Sequence, residues 1–423
     1  MSDLVMYAVI IALGLVAQLP AYWAWCMIIA YTKRSRATPP VGETYPNVAV
    51  LLCLRGADPS LDACLQGLLN QDFPRYQIRI VVDNRDDSAW AKVHEILARG
   101  YPDRVNVEVS VLEKPCAKCS LKCCAQLQTV SRLGPEMDVV VLIDADSIPA
   151  PDWLRAMVEP FADPTIGATT GMRWFAPIDC GWGSIMRHIF NSGSYPQMFA
   201  FDHAWGGSTA IRMDVFRRSS IKERWNRALC EDSAVTGPLR ELGYKLVFAP
   251  AATNINHETI TFSASVRFIQ RQLLCVRLDH VDWPTLLSCN MANVVAIASL
   301  LGIAGAASWL ERWDWLALSV GFVGLFAGAM YGGLTMAEVI VRRNWRIRGL
   351  VPPPIVWTWR MVPGFFFTQV ICMYLLVKAN VLRRVAWRGI NYTINGPGDI
   401  VMEKYEPYEP TTAQQKDATH STV

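Results

Sequence analysis

The sequence predicts an α/β domain with a mostly parallel sheet, held between long apolar segments at both ends of the chain. Between residues 37 and 282, short apolar runs alternate with segments of helical spacing, as in strand–helix units. The run VVVLIDADS at 139–147 places five apolar residues before two aspartates, which is typical of a strand buried on both faces of a sheet. The chain is 52% hydrophobic, and its clustered apolar residues indicate a membrane protein.

The elements of the domain follow from local periodicity. Residues 47–54 (NVAVLLCL) form a continuous apolar run and predict a buried strand. Residues 60–70 carry apolar side chains three or four apart, the spacing of one helix face. The same patterns predict further strands at 77–82, 105–112, 139–143 and 243–248, and further helices at 89–99, 118–133 and 263–277. This order favours a sheet whose faces are covered by helices.

The first apolar segment predicts a membrane span with the amino terminus outside. Residues 4–31 are uncharged, and about 20 apolar residues suffice to cross a bilayer as a helix. Asp3 precedes the segment, whereas Lys33, Arg34 and Arg36 follow it. Because positive charge favours the cytosolic side, the domain that follows is expected in the cytosol.

Two further spans are predicted as a hairpin after the domain. Residues 283–310 and 315–337 are uncharged, and only a short connector separates them. A hairpin of this kind returns the chain to the cytosol. A cluster of basic residues marks that return: Arg342, Arg343, Arg346 and Arg348.

A fourth apolar segment, at 363–382, is predicted to stay on the cytosolic side. Arg383, Arg384 and Arg388 follow it, and a full crossing would place those charges outside. The prolines at 352–354 and two nearby tryptophans are typical of a segment in the membrane interface. We therefore favour an interfacial or re-entrant element over a true span.

The predicted organisation has five parts. They are an amino-terminal span at 1–36, a cytosolic domain at 37–282, a transmembrane hairpin at 283–341, an interfacial or re-entrant and then cytosolic segment at 342–402, and a tail at 403–423 whose polar composition predicts disorder. A formal net charge of +3 gives no support for binding to nucleic acid, so no such partner is expected.

The twelve cysteines are interpreted as free thiols, because a cytosolic domain is kept reduced and a disulfide framework is not expected. The cluster of Cys116, Cys119, Cys123 and Cys124 offers zinc ligands as an alternative. Structural zinc sites normally separate their two ligand pairs by a dozen or more residues, which this cluster does not. Half-buried thiols are therefore favoured over zinc.

Asp144 and Asp146 form the first candidate site. They follow the strand at 139–143 and lie two residues apart, so both carboxylates point the same way at the carboxyl end of the strand. Open α/β sheets bind their ligands at that edge. A divalent cation between the carboxylates relieves their repulsion, and Mg²⁺ or Mn²⁺ bound in this way is usually shared with a diphosphate. The alternative is a surface turn that carries two aspartates.

Further polar positions follow other elements of the predicted sheet. Asp83 ends the strand at 77–82 and begins an acidic cluster with Asp86 and Asp87. A carboxylate there can accept hydrogen bonds from a ribose or a base, and the alternative is a solvated turn. Gly206 and Gly207 permit a close approach of the backbone to a ligand.

The last candidate residues lie on two predicted helices. Asp232, in the segment 229–235, is either a functional carboxylate near the amino end of a helix or simply its cap. The helix at 263–277 carries cations and amides that either hold a diphosphate or form a basic surface facing the membrane. These residues are Arg267, Gln270, Arg271 and Gln272.

In this order, the motifs resemble those of membrane-bound family 2 glycosyltransferases with a GT-A domain, and most closely the ceramide glucosyltransferase-like branch. That pattern is an early Asp, then D-x-D, then E-D, then a Q/R-x-x-R-W helix. Here it falls on Asp83 or its neighbours, Asp144 and Asp146, Glu231 and Asp232, and the helix around Gln270, Arg271 and Gln272. The stretch VAWRGINY at 385–392 resembles the carboxyl end of such enzymes. One departure is that Leu273 and Leu274 stand where the pattern has Arg–Trp.

The resemblance implies a role for each matched residue. Asp83 or a neighbour would hold the nucleoside of a nucleotide-sugar donor, most simply a UDP-sugar, and Lys122 would support the same region. Asp144 would contact the ribose or the metal shell, and Asp146 would bind Mg²⁺ or Mn²⁺. Asp232 would be the general base of a single displacement that inverts the anomeric carbon.

The architecture favours a membrane lipid as the sugar acceptor. Three spans and an interfacial element are too few to enclose a growing polysaccharide, whereas an active site at the bilayer surface can meet a lipid hydroxyl. Ceramide, diacylglycerol or another membrane alcohol fits this description. The alternatives are a processive polysaccharide synthase that acts as an oligomer, and an inactive GT-A scaffold subunit.

Overall fold

A seven-stranded mixed sheet forms the centre of the region between the first two long apolar helices. The computed structural model describes residues 3–34, 45–356 and 358–408. The strand order is β3-β2-β1-β4-β6-β5-β7. The strands are β1 Val48–Leu54, β2 Tyr76–Val82, β3 Val105–Val111, β4 Val139–Ile143, β5 Ile166–Phe175, β6 Ser208–Arg212 and β7 Lys245–Asn256.

Helices cover both faces of the sheet and extend beyond it. They are α1 Asp3–Arg34, α2 Leu61–Leu69, α3 Ser88–Leu97, α4 Leu121–Val130, α5 Trp153–Val158, α6 Trp182–Ala200, α7 Met213–Arg218, α8 Ile221–Trp225, α9 Thr236–Glu241, α10 Phe262–Asp279, α11 Trp283–Trp309, α12 Trp313–Ile347 and α13 Met361–Val381. A 3₁₀ helix, Glu159–Ala162, follows α5. The mostly parallel α/β fold predicted from the sequence is confirmed.

The sequence predicted the strands of the parallel half of the sheet. β1 pairs in parallel with β2 and β4, and β2 pairs in parallel with β3, with α2, α3 and α4 as the connecting helices. All five residues of β4 are buried, because helices cover both of its faces. The carboxyl ends of β1, β2 and β4 therefore meet at one edge.

The other half of the sheet was not predicted in full. β5 carries Gly171 and Arg173 within a buried run, so neither alternation nor a continuous apolar pattern marks it as a strand. A side chain at position 171 would place its Cβ 2.1 Å from the carbonyl oxygen of Ala252 on β7. Glycine therefore permits the close pairing of these two strands. β6 runs antiparallel between β4 and β5, which makes the sheet mixed.

Three long apolar helices pack together as a bundle. Ile10 of α1 and Leu300 of α11 are fully buried in a cluster that also contains residues of α12. At the far end of the bundle, Arg312 pairs with Asp3 at 2.8 Å. Four described helices are long and apolar enough to cross a membrane, namely α1, α11, α12 and α13. The chain is therefore associated with a membrane through its apolar helices.

Helix α13 differs from the bundle because both of its ends rest on the α/β domain. Before its first turn, Arg360 donates a hydrogen bond to the carbonyl oxygen of Cys180, next to α6 (2.9 Å). In its last turn, the carbonyl oxygen of Ala379 accepts from Arg277 of α10 (2.8 Å). The helix is continuous, so residues 363–382 do not reverse direction as a re-entrant segment would. The interfacial placement remains a prediction.

The chain after α13 returns to the α/β domain as a small antiparallel sheet. Its strands are β8 Arg384–Trp387, β9 Ile390–Gly396 and β10 Asp399–Met402. Tyr392 is buried in the domain core, and its hydroxyl accepts a hydrogen bond from the amide of Leu121 (3.2 Å). Residues 403–408 continue along the domain. The side chains of Lys33 and Arg34, together with Arg36 and residues 409–423, lie outside what the structure describes.

Asn391-Tyr392-Thr393 matches an N-glycosylation sequence, and we predict that Asn391 carries no glycan in a eukaryotic host. The reason is that β9 packs on the α/β domain, which we expect in the cytosol, where the glycosylation machinery is absent. Mass spectrometry of the purified chain, with and without glycosidase, checks this prediction. A sequon engineered into the connector between α11 and α12 serves as the positive control. A glycan on Asn391 would contradict the cytosolic orientation.

Candidate active site

A cavity of about 210 Å³ opens at the carboxyl ends of β1, β2 and β4. Strand β4 ends at Ile143, so Asp144 and Asp146 project from its end into this cavity, as predicted. Helices α4 and α10, the segment before α9 and the end of β8 close its other sides. The site thus combines residues from distant parts of the chain.

Lys122 of α4 joins two acidic elements of the cavity. Its Nζ lies 2.6 Å from Oδ1 of Asp144 and 2.6 Å from Oε1 of Glu231. Burial opposes the charge on Asp144, but Lys122 and Arg173 together hold the pKa of that carboxyl below its ordinary value. Burial raises the pKa of Glu231 despite the same ammonium. Lys122 therefore stabilises the charged form of Asp144, whereas burial outweighs its effect on the pKa of Glu231.

Asp146 faces a different cation. Its Oδ2 lies 2.6 Å from the guanidinium of Arg173 on β5, whereas its Oδ1 is buried without a hydrogen-bond partner among the described residues. Burial raises the pKa of Asp146, and Arg173 only partly offsets this effect. The unpartnered oxygen is the observation that fits a hard cation.

No group of three or more His, Cys, Asp or Glu side chains suited to a metal occurs among residues 3–34, 45–356 and 358–408. Mg²⁺, however, is usually bound through one or two carboxylates, with water and substrate phosphates as its other ligands. Oδ1 of Asp146 therefore fits a metal that arrives with a diphosphate. The cysteines at 116, 119, 123 and 124 are free thiols.

The three acidic residues that follow β2 differ in where their side chains lie. Asp83 lines the cavity, and its carboxylate lies 2.5 Å from the guanidinium of Arg55. Asp86 is exposed at the surface. Asp87 is buried and caps α3 by accepting from the amide of Ala89 (2.8 Å). Of the three candidates, only Asp83 faces the cavity.

Asp232 does not lie in a helix, contrary to the sequence prediction. Helix α9 begins at Thr236 with Val235 as its cap, and residues 231–235 form turns. Asp232 accepts hydrogen bonds from the amides of Gly206 (2.9 Å, through Oδ2) and Ser233 (2.6 Å, through Oδ1). The capping alternative therefore fails, since Asp232 lines the cavity rather than the start of α9.

Gly206 and Gly207 lie so close to other protein groups that a side chain at either position would clash with them. A Cβ on Gly206 would lie 2.1 Å from Oε1 of Glu231 and 3.1 Å from Nζ of Lys122. A Cβ on Gly207 would meet the ring of Trp205 at 2.1 Å. These glycines therefore let the amide of residue 206 reach Asp232, beside the cavity rather than within its lining.

Helix α10 contributes Arg271 and Gln272 to the cavity. Gln270 lines neither this cavity nor a second cavity that lies between α6 and α10. Arg271 has no hydrogen bond or ion pair among the described residues, and its guanidinium lies 5.1 Å from the ring centre of Trp387. Burial and the nearby Arg173 and Arg388 lower the pKa of Arg271 to about 10. This unpaired cation favours an anionic ligand.

Several cavity residues were missed from the sequence. Arg173 was hidden in the buried strand β5, where a lone charge in a long uncharged run was the available signal. Arg388 has a positive φ of 48° and pairs with Asp58 at 3.2 Å. Arg388 belongs to the stretch VAWRGINY at 385–392. The sequence did not indicate that this stretch reaches the cavity. Arg55 and Asp58, after β1, carried no distinctive pattern.

The expectation of reduced cysteines is wrong at one place, since Cys230 and Cys275 form a disulfide. It joins the residue before Glu231 to α10, and both cysteines line the cavity. Asp279, at the end of α10, accepts from the amides of Leu229 (3.1 Å) and Cys230 (3.0 Å). These contacts hold the segment before α9 against α10.

A family model described as glycosyl transferase family 21 matches residues 7–400, so the chain belongs to glycosyltransferase family 21. This is the ceramide glucosyltransferase family. The resemblance to the ceramide glucosyltransferase-like branch is thereby confirmed. The predicted GT-A class, a mixed α/β sheet with flanking apolar helices, is also confirmed.

Two protein relatives match shorter stretches. The chain is 34% identical over 87 residues to a ceramide glucosyltransferase from Komagataella phaffii, which covers 21% of this chain and 17% of that protein. It is 34% identical over 138 residues to an N-acetylglucosaminyltransferase from Mesorhizobium japonicum, covering 31% and 30% of the two chains. The matched regions thus span less than a third of either relative.

Solved structures align at low identity. A mannosyltransferase from Pyrobaculum calidifontis in complex with GDP-Man and Mn²⁺ aligns over 79% of this chain and 98% of that chain, with 18% identity and a TM-score of 0.48. Glucosyl-3-phosphoglycerate synthase from Mycobacterium tuberculosis, in complex with Mn²⁺ and UDP, aligns over 54% and 79%, with 13% identity and a TM-score of 0.36.

Asp279→Asn should stabilise the protein at pH 8 but not at pH 5. Burial raises the pKa of Asp279 to about 7 even though two amides favour its charged form. An acid whose pKa is raised on folding binds more protons in the folded state, so its contribution to stability falls as the pH rises from about 4 to 7. Asparagine keeps the acceptor oxygen without the buried charge.

Thermal unfolding in detergent, followed by tryptophan fluorescence at both pH values, measures this effect. Asp103→Asn, at an exposed surface position, is the matched control and should have the wild-type melting temperature at each pH. Equal melting temperatures of wild type and Asp279→Asn at pH 8 would contradict the prediction.

Proposed function

We propose that this glycosyltransferase moves a sugar from a nucleotide-sugar donor to a hydroxyl of a membrane lipid, with inversion at the anomeric carbon. One observation carries the proposal. Asp232 lies between a cavity lined by charged residues at the sheet edge and a second, mostly apolar cavity beside the membrane helices, and it lines both. A carboxylate in that position can act on a donor from one side and a lipid from the other.

Two arginines of the first cavity support a diphosphate donor. Arg271 is an unpaired guanidinium, and Arg388 stands beside it on the chain after α13. Guanidinium groups bind phosphate oxygens through charge-assisted, often bidentate hydrogen bonds. Asp83 and Arg55, at the ends of β2 and β1, lie where the nucleoside of such a donor would extend. Lys122 is already shared by two carboxylates, so its role is to support the site.

Asp146 would hold a divalent cation, Mg²⁺ or Mn²⁺, through its unpartnered Oδ1. When bound, such an ion supplies Lewis acidity to the leaving diphosphate. Asp144 remains paired with Lys122 and completes the acidic edge of the site. Arg173, which pairs with Oδ2 of Asp146, favours the charged form of that carboxylate and orients it.

Asp232 would be the general base. Its two hydrogen bonds to backbone amides fix the carboxylate and leave lone pairs free for a substrate. As the acceptor oxygen attacks the anomeric carbon, Asp232 takes the hydroxyl proton. The bond between that carbon and the diphosphate oxygen breaks, and the nucleoside diphosphate leaves with the electron pair. One displacement inverts the configuration of the sugar.

The membrane helices support a lipid acceptor. Both ends of α13 rest on the α/β domain, which favours a position along the bilayer surface with α6 and α10 beneath it. Its outer face is apolar at helical spacing, with Val362, Phe366, Val370, Tyr374, Val377 and Val381 exposed. We propose that α1, α11 and α12 cross the membrane, that the domain is cytosolic, and that the amino terminus lies outside.

Mass spectrometry of the products tests the proposal. The full chain, purified into lipid nanodiscs, is incubated with nucleotide sugars and Mg²⁺ or Mn²⁺. Lipids that gain a single sugar support the proposal. A long polymer would instead favour a processive synthase, and the absence of both transfer and donor hydrolysis would favour an inactive scaffold.

Asp232→Asn should reduce sugar transfer by roughly 10²–10⁴-fold, the usual contribution of a positioned proton acceptor. Donor binding should survive, because the diphosphate contacts lie on α10 and on the segment after α13. Transfer is measured by lipid mass spectrometry and donor affinity by calorimetry. Asp214→Asn, at the surface on α7, is the control and should be fully active. Normal transfer by Asp232→Asn would move the role of base to Glu231.

Asp146→Asn should lose metal-dependent turnover while the protein stays folded and membrane-inserted. The amide cannot supply the anionic oxygen that a hard cation prefers. Donor hydrolysis is measured across a titration of Mn²⁺, with thermal unfolding as the test of folding. Asp163→Asn, at an exposed position, should keep the wild-type response. An unchanged metal response in Asp146→Asn would exclude Asp146 as a ligand.

A further inference from the structure

The second cavity lies between α6, α10 and the start of α11. Its volume is about 110 Å³, and its walls are mostly apolar, with Phe190, Phe268, Leu273 and Val276 among them. Leu286, in the first turn of the apolar helix α11, also lines it. In the proposed topology α11 enters the bilayer from this turn, which would place the cavity at the level of the membrane surface.

This cavity is continuous with the donor site through shared residues. Arg173, Trp205, Asp232 and Gln272 line both cavities. A molecule with an apolar body in the second cavity would therefore present its head to Asp232. An amphiphile with a hydroxyl at its head has this shape, whereas a soluble sugar would leave the apolar walls without a partner.

One polar group in this cavity lacks a partner. His280 is only 5% exposed, and its Nδ1 accepts a hydrogen bond from the amide of Asp282 (3.1 Å). Burial and the neighbouring His203 lower the pKa of His280 to about 3, so the ring is neutral at pH 7. Since Nδ1 is the acceptor, the single ring proton is on Nε2. That N–H is buried and has no hydrogen-bond partner among the described residues.

Because His280 lines the second cavity, its buried donor is available to a ligand bound there. We propose that Nε2–H of His280 donates a hydrogen bond to a second oxygen on the head of the lipid acceptor, and so positions the reacting hydroxyl beside Asp232. The acceptor class is a lipid whose head carries the reacting hydroxyl and a nearby carbonyl or second hydroxyl. This inference rests on the proposed function. His280 is a positioning residue, and it takes no part in proton transfer.

The surroundings of His280 fit an uncharged head. The ring of His203 lies 4.9 Å away, and its pKa is also lowered by burial, to about 4. Asn191, Ser194 and Gln197 of α6 add neutral polar groups along the same cavity. The charged residues Arg173 and Asp232 stand only at the end shared with the donor site.

The test compares two lipids of equal chain length in nanodiscs, one with the reacting hydroxyl alone and one with an additional amide carbonyl beside it. For wild type, the two-oxygen lipid should have the higher kcat/KM. His280→Asn keeps an acceptor for the amide of Asp282 but removes the donor at Nε2. It should reduce this preference by roughly 3- to 10-fold, the worth of one neutral hydrogen bond. His280→Gln, which restores a donor near Nε2, should recover part of it.

His94→Asn, at an exposed site on α3, is the matched control and should leave the preference unchanged. A preference that persists in His280→Asn would overturn the inference while the proposed function stands, because lipid is still glycosylated. If His280→Asn does not fold, the wild-type protein still tests the inference. Equal kcat/KM values of wild type for the two lipids would also overturn the inference. Failure of wild type to glycosylate any lipid would instead contradict the proposed function.

Discussion

The shared ion pair of Lys122 with Asp144 and Glu231 is the interaction on which the site depends. It ties α4 to the end of β4 and to the turn that carries Asp232. Glu231 is almost fully buried, and removal of one partner from a buried pair costs about 3–5 kcal/mol because a charge is left uncompensated. The same ammonium keeps Asp144 ionised. The same contact therefore holds the proposed catalytic residues in place and stabilises this part of the fold.

The position of Asp232 follows from this constraint. The carboxylate lies next to Glu231 in the chain, and the absence of a Cβ at Gly206 lets that amide reach it. Asp279 and the disulfide at Cys230 hold the same segment against α10. A turn restrained from three sides can keep a carboxylate between two cavities, whereas a position within a helix would direct it to one face only.

The segment after α13 compensates for a change in the sequence pattern of α10. Leucines replace the usual Arg–Trp pair, yet Trp387 stacks near Arg271 and Arg388 enters the same cavity. This is possible because both ends of α13 lie on the α/β domain. The predicted placement of that helix at the membrane surface is thus linked to the cavity that we propose binds the donor.

Local sequence patterns predicted β1 to β4, the helices between them and the long apolar helices, because periodicity records which faces are buried. They also predicted that Asp144 and Asp146 lie at the carboxyl end of β4, since a buried apolar run directly precedes them. The packing of distant segments established that Asp83 rather than Asp87 faces the cavity, that Asp232 lies in a turn, and that Nε2 of His280 has no partner among the described residues. Those properties depend on ion pairs and hydrogen bonds between residues far apart in the chain, which local periodicity does not encode.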